Sequence, residues 1–345
     1  MFDRIIWVLS AIVAGFLMWQ IAQGDIGTYE VVSVVTGGDL AEKVGQISKP
    51  VFEEKSESEK SLSIMAFGDM MLGRFVRTLM ERDGKDFIFE NFEFPEAEIR
   101  FANLEGPIKG DGYKHQTAMR FGFHTDTADF LKENGFNVLS IVNNHAIDQG
   151  WDGRDSTIAE LERVGIGWCG HPTEAVRESV LFGESESGAS YAFVCFNDVI
   201  MDTDNAAMWN LVKDVDDEVD YVIVSIHWGV EYAHKPHQKL QVELGHALVD
   251  AGADLILGHH PHVVQTYEKY NGKMIFYSLG NFVFDQYWSR DTQEELGVRV
   301  VLSGVGRDFD TEFELYPIVS ERSAVRMMEG QELEEWMGRF RGYFE

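Results

Sequence analysis

Six short apolar runs in this sequence each stop abruptly at residues able to hold a cation or move a proton. SLSIMAF (61–67) ends in Gly68-Asp69, EIRFA (98–102) in Asn103-Leu104-Glu105-Gly106, and FNVLSIV (136–142) in Asn143-Asn144-His145. Further on, YVIVSI (221–226) ends in His227-Trp228-Gly229, ADLIL (253–257) in Gly258-His259-His260-Pro261-His262, and MIFYSL (274–279) in Gly280-Asn281. Carboxylate oxygens suit hard divalent cations, and imidazoles suit Zn, Fe, Mn or Ni. His260-Pro261-His262 is the strongest local element: an H-x-H at a strand end aims two imidazoles in related directions while proline stiffens the turn. Asp69 has a blander reading as a helix cap, whereas Glu105 after an apolar strand is hard to explain as scaffold. His115, His124, His171, His234, His237 and His246 lack the strand-end context and read as structural.

The elements that must position these residues follow from composition and periodicity. β-branched runs of this length read as strands, and helical segments alternate with them. One is expected from Thr127 to Asn134, stopping at Gly135, and one from Thr157 to Val164 with a Thr157/Glu160 capping box and Gly165 as its stop. A third, Lys235 to Ala251, puts Leu240, Leu244, Leu248 and Ala251 on one face. Such alternation specifies an α/β fold with a largely parallel interior, in which ligands gather at the carboxyl ends of the strands. FGESESGAS (182–190), between ESVLF and YAFVCFNDV, reads as a hairpin turn in a second sheet. Near the C-terminus, Leu333, Trp336, Met337 and Phe340 line one helical face, a docking surface.

The chain has 345 residues, with 45% hydrophobic and 25% charged, which excludes disorder, collagen and coiled coil for most of it. Fifty-eight acidic residues against 29 basic ones leave a net charge of −29, which disfavours a nucleic-acid partner. Ile5 to Ala22 is free of charge and carries Trp7 and Trp19 near its ends. At ~1.5 Å per residue it spans ~27 Å, enough for a single-pass anchor, with a cleaved signal peptide as the other reading. Arg4 before it and Asp25 and Glu30 after it place the remainder outside the cytoplasm. The expected organisation is an anchor or signal at 1–24, a linker at 25–60, a catalytic domain at 61–320 and an amphipathic helix at 321–345. Cys169 and Cys195, too few for a disulfide scaffold, allow one bridge or none and read most simply as small core residues.

Six ordered segments resemble the CapA-type capsule-synthesis family: GDMMLGR (68–74), FANLEGP (101–107), NNHAID (143–148), HWGVEY (227–232), GHHPHVVQ (258–265) and YSLGNFVFDQ (277–286). That family is linked to poly-γ-glutamate capsule and is similar to the calcineurin-like metallophosphoesterases. The resemblance implies a four-layer αββα sandwich with two divalent metal ions, Mn, Fe or Zn. It also implies metal-binding roles for Asp69, Glu105, Asn144, His227, His260 and His262, and an acid–base role for His145. Two positions depart from the phosphoesterase pattern: Met71 replaces a histidine, and Glu105 replaces an aspartate. His259 or Glu231 could fill the place left by Met71, while Arg74, Glu231 and Asn281 are expected to bear on the substrate.

The expected function is metal-dependent hydrolysis of a capsule polymer or its precursor by a membrane-anchored protein. The alternative is a non-catalytic metal-binding scaffold within a capsule synthase complex. In either case the metal centre must create a local positive focus, together with Arg74, Arg77, Lys235 and Lys239, if an anionic polymer is to approach so acidic a chain.

Overall fold

Every second residue of the apolar runs turns to a different core in the computed structural model, which describes residues 33–34, 60–110, 117, 119–199, 205–305 and 308–344. The strands are β1 (Ser33–Val34), β2 (Lys60–Met70), β3 (Ile99–Leu104), β4 (Val138–Ser140), β5 (Gly167–Cys169), β6 (Leu181–Glu184), β7 (Ser190–Asn197) and β8 (Tyr221–His227). They continue with β9 (Leu255–His259), β10 (Tyr267–Tyr270), β11 (Lys273–Phe276), β12 (Asn281–Val283), β13 (Glu294–Val305), β14 (Asp308–Glu321) and β15 (Ala324–Met327). The α-helices are α1 (Arg74–Asp83), α2 (Asp126–Glu133), α3 (Gly150–Val164), α4 (Asn205–Asp216), α5 (Leu244–Asp250) and α6 (Gly330–Gly342).

One sheet has the order β1-β14-β13-β2-β3-β4-β5, with β12 also on β2 and β15 on β14; the other runs β10-β11-β9-β8-β7-β6. Parallel pairing links β2 through β5 in the first sheet and β7, β8, β9 and β11 in the second. In β2, Leu62, Ile64 and Ala66 face the other sheet, while Met65 and Phe67 face the helical side. In β7, Tyr191, Phe193 and Cys195 face inward, and Ala192, Val194 and Phe196 pack toward α4 and α5. Phe101 of β3 stacks on Phe193 of β7 at 5.3 Å between ring centroids, directly joining the sheets. The result is helix, sheet, sheet, helix, with the inter-sheet core holding the two sheets together by apolar burial.

Several sequence expectations need correction. Thr157 caps nothing: α3 begins at Gly150, and Thr157 Oγ1 donates to Gly153 O and accepts from Ile108 N, both at 2.8 Å. That bond ties the helix to the segment just beyond Glu105. The stretch 235–251 is only partly α-helical, because a wider turn at Gln238–Glu243 precedes α5. That turn buries Gln241, whose amide donates to Gln265 Oε1 at 2.7 Å, and leaves Leu240 exposed. At the C-terminus β15 forms before α6, which buries Trp336 and Phe340 against the inter-sheet core. The hairpin at 182–190 is present as the antiparallel pair β6–β7 in the second sheet. The apolar run 5–22 lies outside the described residues, and no helix among the described residues is long and apolar enough to cross a membrane.

Cys169 and Cys195 are disulfide-bonded rather than merely packed. Cys169 ends β5 at the edge of one sheet and Cys195 sits on the inward face of β7 in the other, with Cα atoms 5.4 Å apart. Sequence could not pair them because the contact exists only once the sheets stack. Closing this 26-residue separation stabilises the fold by about 3.5 kcal/mol in the chain-entropy treatment. The double variant Cys169→Ala/Cys195→Ala should therefore unfold at lower urea by roughly that energy, with an unchanged far-ultraviolet circular dichroism spectrum. An unaltered unfolding midpoint would contradict a stabilising bridge.

Candidate metal centre

The carboxyl ends of the two parallel strand sets converge. Asp69, second from the end of β2, is in register with Asn103 of β3 on one side and Asn281 of β12 on the other. His227 closes β8 opposite His259, which closes β9. The chain passes from β11 to β12 through Tyr277–Gly280, and this crossing leaves no room beside the site. A Cβ on Gly68 would come 2.0 Å from Gly280 O, and one on Gly258 would come 2.1 Å from Tyr277 O. Both glycines preceding the site residues are thus sterically required. His260 and His262 adopt φ of 97° and 58°, a left-handed backbone that costs side-chain-bearing residues about 1–3 kcal/mol each.

Two groups of potential ligand atoms result, each lying within 4.8 Å of one another: Asp69 with Glu105 and His227, and Glu231 with His260 and His262. Glu105 is fully buried, yet neither carboxylate oxygen has a hydrogen-bond partner. The nearest imidazole nitrogens are His262 Nε2 at 3.8 Å and His145 Nε2 at 3.9 Å, both too far for a hydrogen bond. Burial, followed by the charges of Asp69 and Glu231, pushes its carboxyl well above the ordinary range. Burial likewise opposes ionisation of Asp69, but the facing His259 imidazole, 3.4 Å away, and the neighbouring rings outweigh this and hold its carboxyl low. His227 is pushed well below its ordinary value by burial and then by His260, and His260 falls to about 4 through burial and His262. An ionised carboxylate, a second carboxylate lacking any partner and several neutral imidazoles are a donor set that fits a divalent cation.

Supporting amides fix these groups. Asn103 Nδ2 lies 2.8 Å from Asp69 Oδ1 and 3.3 Å from His227 Nδ1, and Asn143 Nδ2 donates in turn to Asn103 Oδ1 at 3.2 Å. Asn144 Oδ1 is 2.8 Å from His227 Nε2, so its amide oxygen reaches the same cluster. Asn281, expected at the substrate, is instead fully buried, with its oxygen 2.9 Å from His262 Nδ1. Its Nδ2 donates to Gln286 Oε1 and Thr292 O, which assigns the proton of His262 to Nδ1 and leaves Nε2 facing Glu105. Asn103, Asn143 and Gln286 were given no individual role from sequence, although all three stand inside the recognisable segments.

His145 stacks on Phe121 at 3.7 Å, and its Nδ1 is 2.7 Å from Asp148 Oδ2. Asp148 also accepts from Phe121 N at 2.6 Å, so the ring is oriented from two sides with Nε2 toward Glu105. Asp148, which orients the His145 ring, was given no role from sequence. Arg74 pairs with Asp285 and lies over the Phe121 ring at 4.6 Å, while Arg77 is bound to Glu81 and Asp126. Met71 is buried in the core on the helical side, its sulfur accepting from Gly73 N, and takes no place in the cluster. His124, His234 and His246 each face a carboxylate elsewhere, at Asp126, Asp291 and Glu268.

The raised carboxyl of Glu105 has a thermodynamic sign. Above its ordinary value of 4.5 the folded metal-free chain holds a proton that the unfolded chain has released, so this group's contribution to stability is lost as pH rises. Glu105→Gln should stabilise the chelated protein at pH 7.5 by roughly 1–3 kcal/mol, less near pH 4.5, and should reduce the rise in Tm produced by Mn. Thermal melts with EDTA or Mn at the two pH values check this; an unchanged Mn response would contradict it.

Comparison with known proteins identifies the family. The profile of the family described as Bacterial capsule synthesis protein PGA_cap matches residues 63–286. PGA biosynthesis protein CapA of Bacillus subtilis (strain 168) is 34% identical over 285 residues, covering 76% of this chain and 73% of that protein. Capsule biosynthesis protein CapA of Bacillus anthracis is 31% identical over 274 residues, covering 73% and 66%. Among solved structures, the calcineurin-like phosphoesterase YfkN from Bacillus subtilis aligns with a TM-score of 0.42 and 13% identity, over 82% of this chain and 97% of that one. The chain belongs to the PGA_cap family of bacterial capsule synthesis proteins.

Proposed function

We propose that this protein is a membrane-anchored, exported hydrolase that uses two divalent ions, Mn, Fe or Zn, to cleave a phosphoester in capsule polymer synthesis or export. The observation that carries the proposal is the fully buried, partnerless carboxylate of Glu105 among imidazoles. Asp69, Glu105, His227 and Asn144 would hold one ion, and Glu231, His260 and His262 the other. Glu231 thereby supplies the ligand missing at Met71. When bound, such ions polarise a phosphoryl oxygen and lower the pKa of water.

The chain's own residues supply the remainder. His145, with Nδ1 given to Asp148, keeps Nε2 toward Glu105 and the cluster, where it can pass a proton to the departing oxygen. The Phe121 face prevents the ring from swinging away. The disulfide between Cys169 and Cys195 supports an oxidising, extracytoplasmic location, which the apolar run 5–22 would provide as an anchor. The name of one relative, PGA biosynthesis protein CapA, supports PGA, read here as poly-γ-glutamate, as the capsule polymer concerned.

Full-length protein in detergent, loaded with Mn, Fe or Zn, should hydrolyse model phosphodiesters and lose activity with chelator. His145→Ala should lower kcat by ~10²–10⁴ on alkyl esters, whose leaving oxygen needs the proton, and much less on p-nitrophenyl esters. His260→Ala and Asn144→Ala should weaken both reactions. Metal-independent turnover, or none with any of the metals, would overturn the hydrolytic reading in favour of a scaffold.

A further inference from the structure

We propose that Tyr232 and Trp288 form an aromatic subsite for the pyranose ring of a glycosyl phosphate ester, seated at the rim of the metal cluster. This inference rests on the hydrolytic reading for the fate of the phosphate, but the binding it describes stands separately.

Tyr232 follows Glu231 directly, and its ring lies 6.1 Å from that of His262. Trp288 meets Tyr232 edge-to-face at 6.0 Å. Both rings are solvent-facing, Tyr232 at 44% and Trp288 at 65% exposure. Tyr232 is nevertheless held firmly. It adopts φ of 63°, in the left-handed region, with its N–H donating to Pro261 O at 2.8 Å and its hydroxyl accepting from Gln286 Nε2 at 3.3 Å. The same Gln286 accepts from Asn281, which orients His262. One buried chain of side chains therefore fixes both the imidazole at the reacting centre and the aromatic ring at its rim. A strained and anchored residue with an exposed face is the signature of a prepared binding surface.

The neutral rings select the occupant. Glu231 is exposed beside Tyr232, and Arg74 is engaged by Asp285. A polycarboxylate segment gains nothing from neutral rings. A pyranose has an apolar C–H face that packs on an aromatic ring and hydroxyls that donate to a carboxylate such as Glu231. Its phosphate then extends toward the cluster.

The test is calorimetric titration of Mn-loaded full-length protein with non-hydrolysable phosphonates: the methylenephosphonate of glucose, methylphosphonate and the phosphonate analogue of adenosine monophosphate. The glucose compound should bind ~10-fold tighter than methylphosphonate, an advantage worth about 1.4 kcal/mol. Trp288→Ala should abolish that advantage, and Trp288→Phe should keep most of it, with metal content and methylphosphonate affinity unchanged in both. Equal affinity for the glucose and methyl compounds, or a Trp288-dependent gain confined to the nucleotide analogue, would overturn the proposal. Absence of turnover on every phosphoester alongside a Trp288-dependent glucose advantage would sink hydrolysis and leave the subsite standing.

Discussion

A carboxylate with nothing to bind is the constraint on which this site depends. Glu105 is fully buried with neither oxygen hydrogen-bonded, an arrangement that costs several kcal/mol if the charge stays uncompensated. A protein assembled only for stability would place a donor there or fill the space with an apolar side chain. Here the available donors are engaged elsewhere: Asn103 serves Asp69, Asn143 serves Asn103, and Asp148 takes the Nδ1 side of His145. Two polar networks, Asn143–Asn103–Asp69 and Asp148–His145, thus leave the same place open. A divalent cation would resolve the conflict and turn a liability of the metal-free chain into binding energy.

The two-sheet architecture makes this concentration of polar groups possible. Each sheet ends its parallel strands at the cleft, so Asp69 and Glu105 come from one and His227, His260 and His262 from the other. The crossing from β11 to β12 stitches them together, because Asp69 N donates to Gly280 O and Leu279 N donates to Gly258 O. Closeness of this order requires glycine at 68 and 258. The Cys169–Cys195 bridge and the Phe101–Phe193 stack hold the sheets together deeper in the core. Rigidity in the scaffold therefore supports the strained backbone of His260 and His262 at its edge.

Much of this was legible in the residues. Period-two and fully apolar runs specified strands, and the polar residues at their ends identified the cleft, because both signals are local. The H-x-H pair and His227 stood out for the same reason, and His124, His234 and His246, which lacked the strand-end context, face carboxylates away from the cluster. What was not legible depends on contacts between distant segments. Whether Cys169 met Cys195 depended on how the sheets stack. The role of Asn281 depended on Gln286 and Thr292 consuming its amide protons. Thr157 looked like a cap because its helix begins earlier, at Gly150, without a side-chain cap. The departure at Met71 had looked like a lost ligand, but its side chain packs into the core while Glu231 joins His260 and His262 from another loop. The net charge of −29 is likewise a property of the whole surface, whereas the site is governed by a few buried groups.

The central claim is that Glu105 and Glu231 belong to two cation sites in one cleft. Elemental analysis of the purified full-length protein, with its Glu231→Ala variant measured in parallel, tests it most directly. The account predicts two equivalents of divalent metal per chain, falling to one in the variant, whose circular dichroism spectrum is unchanged. No bound metal in the parent protein, or the same content in both, would contradict it.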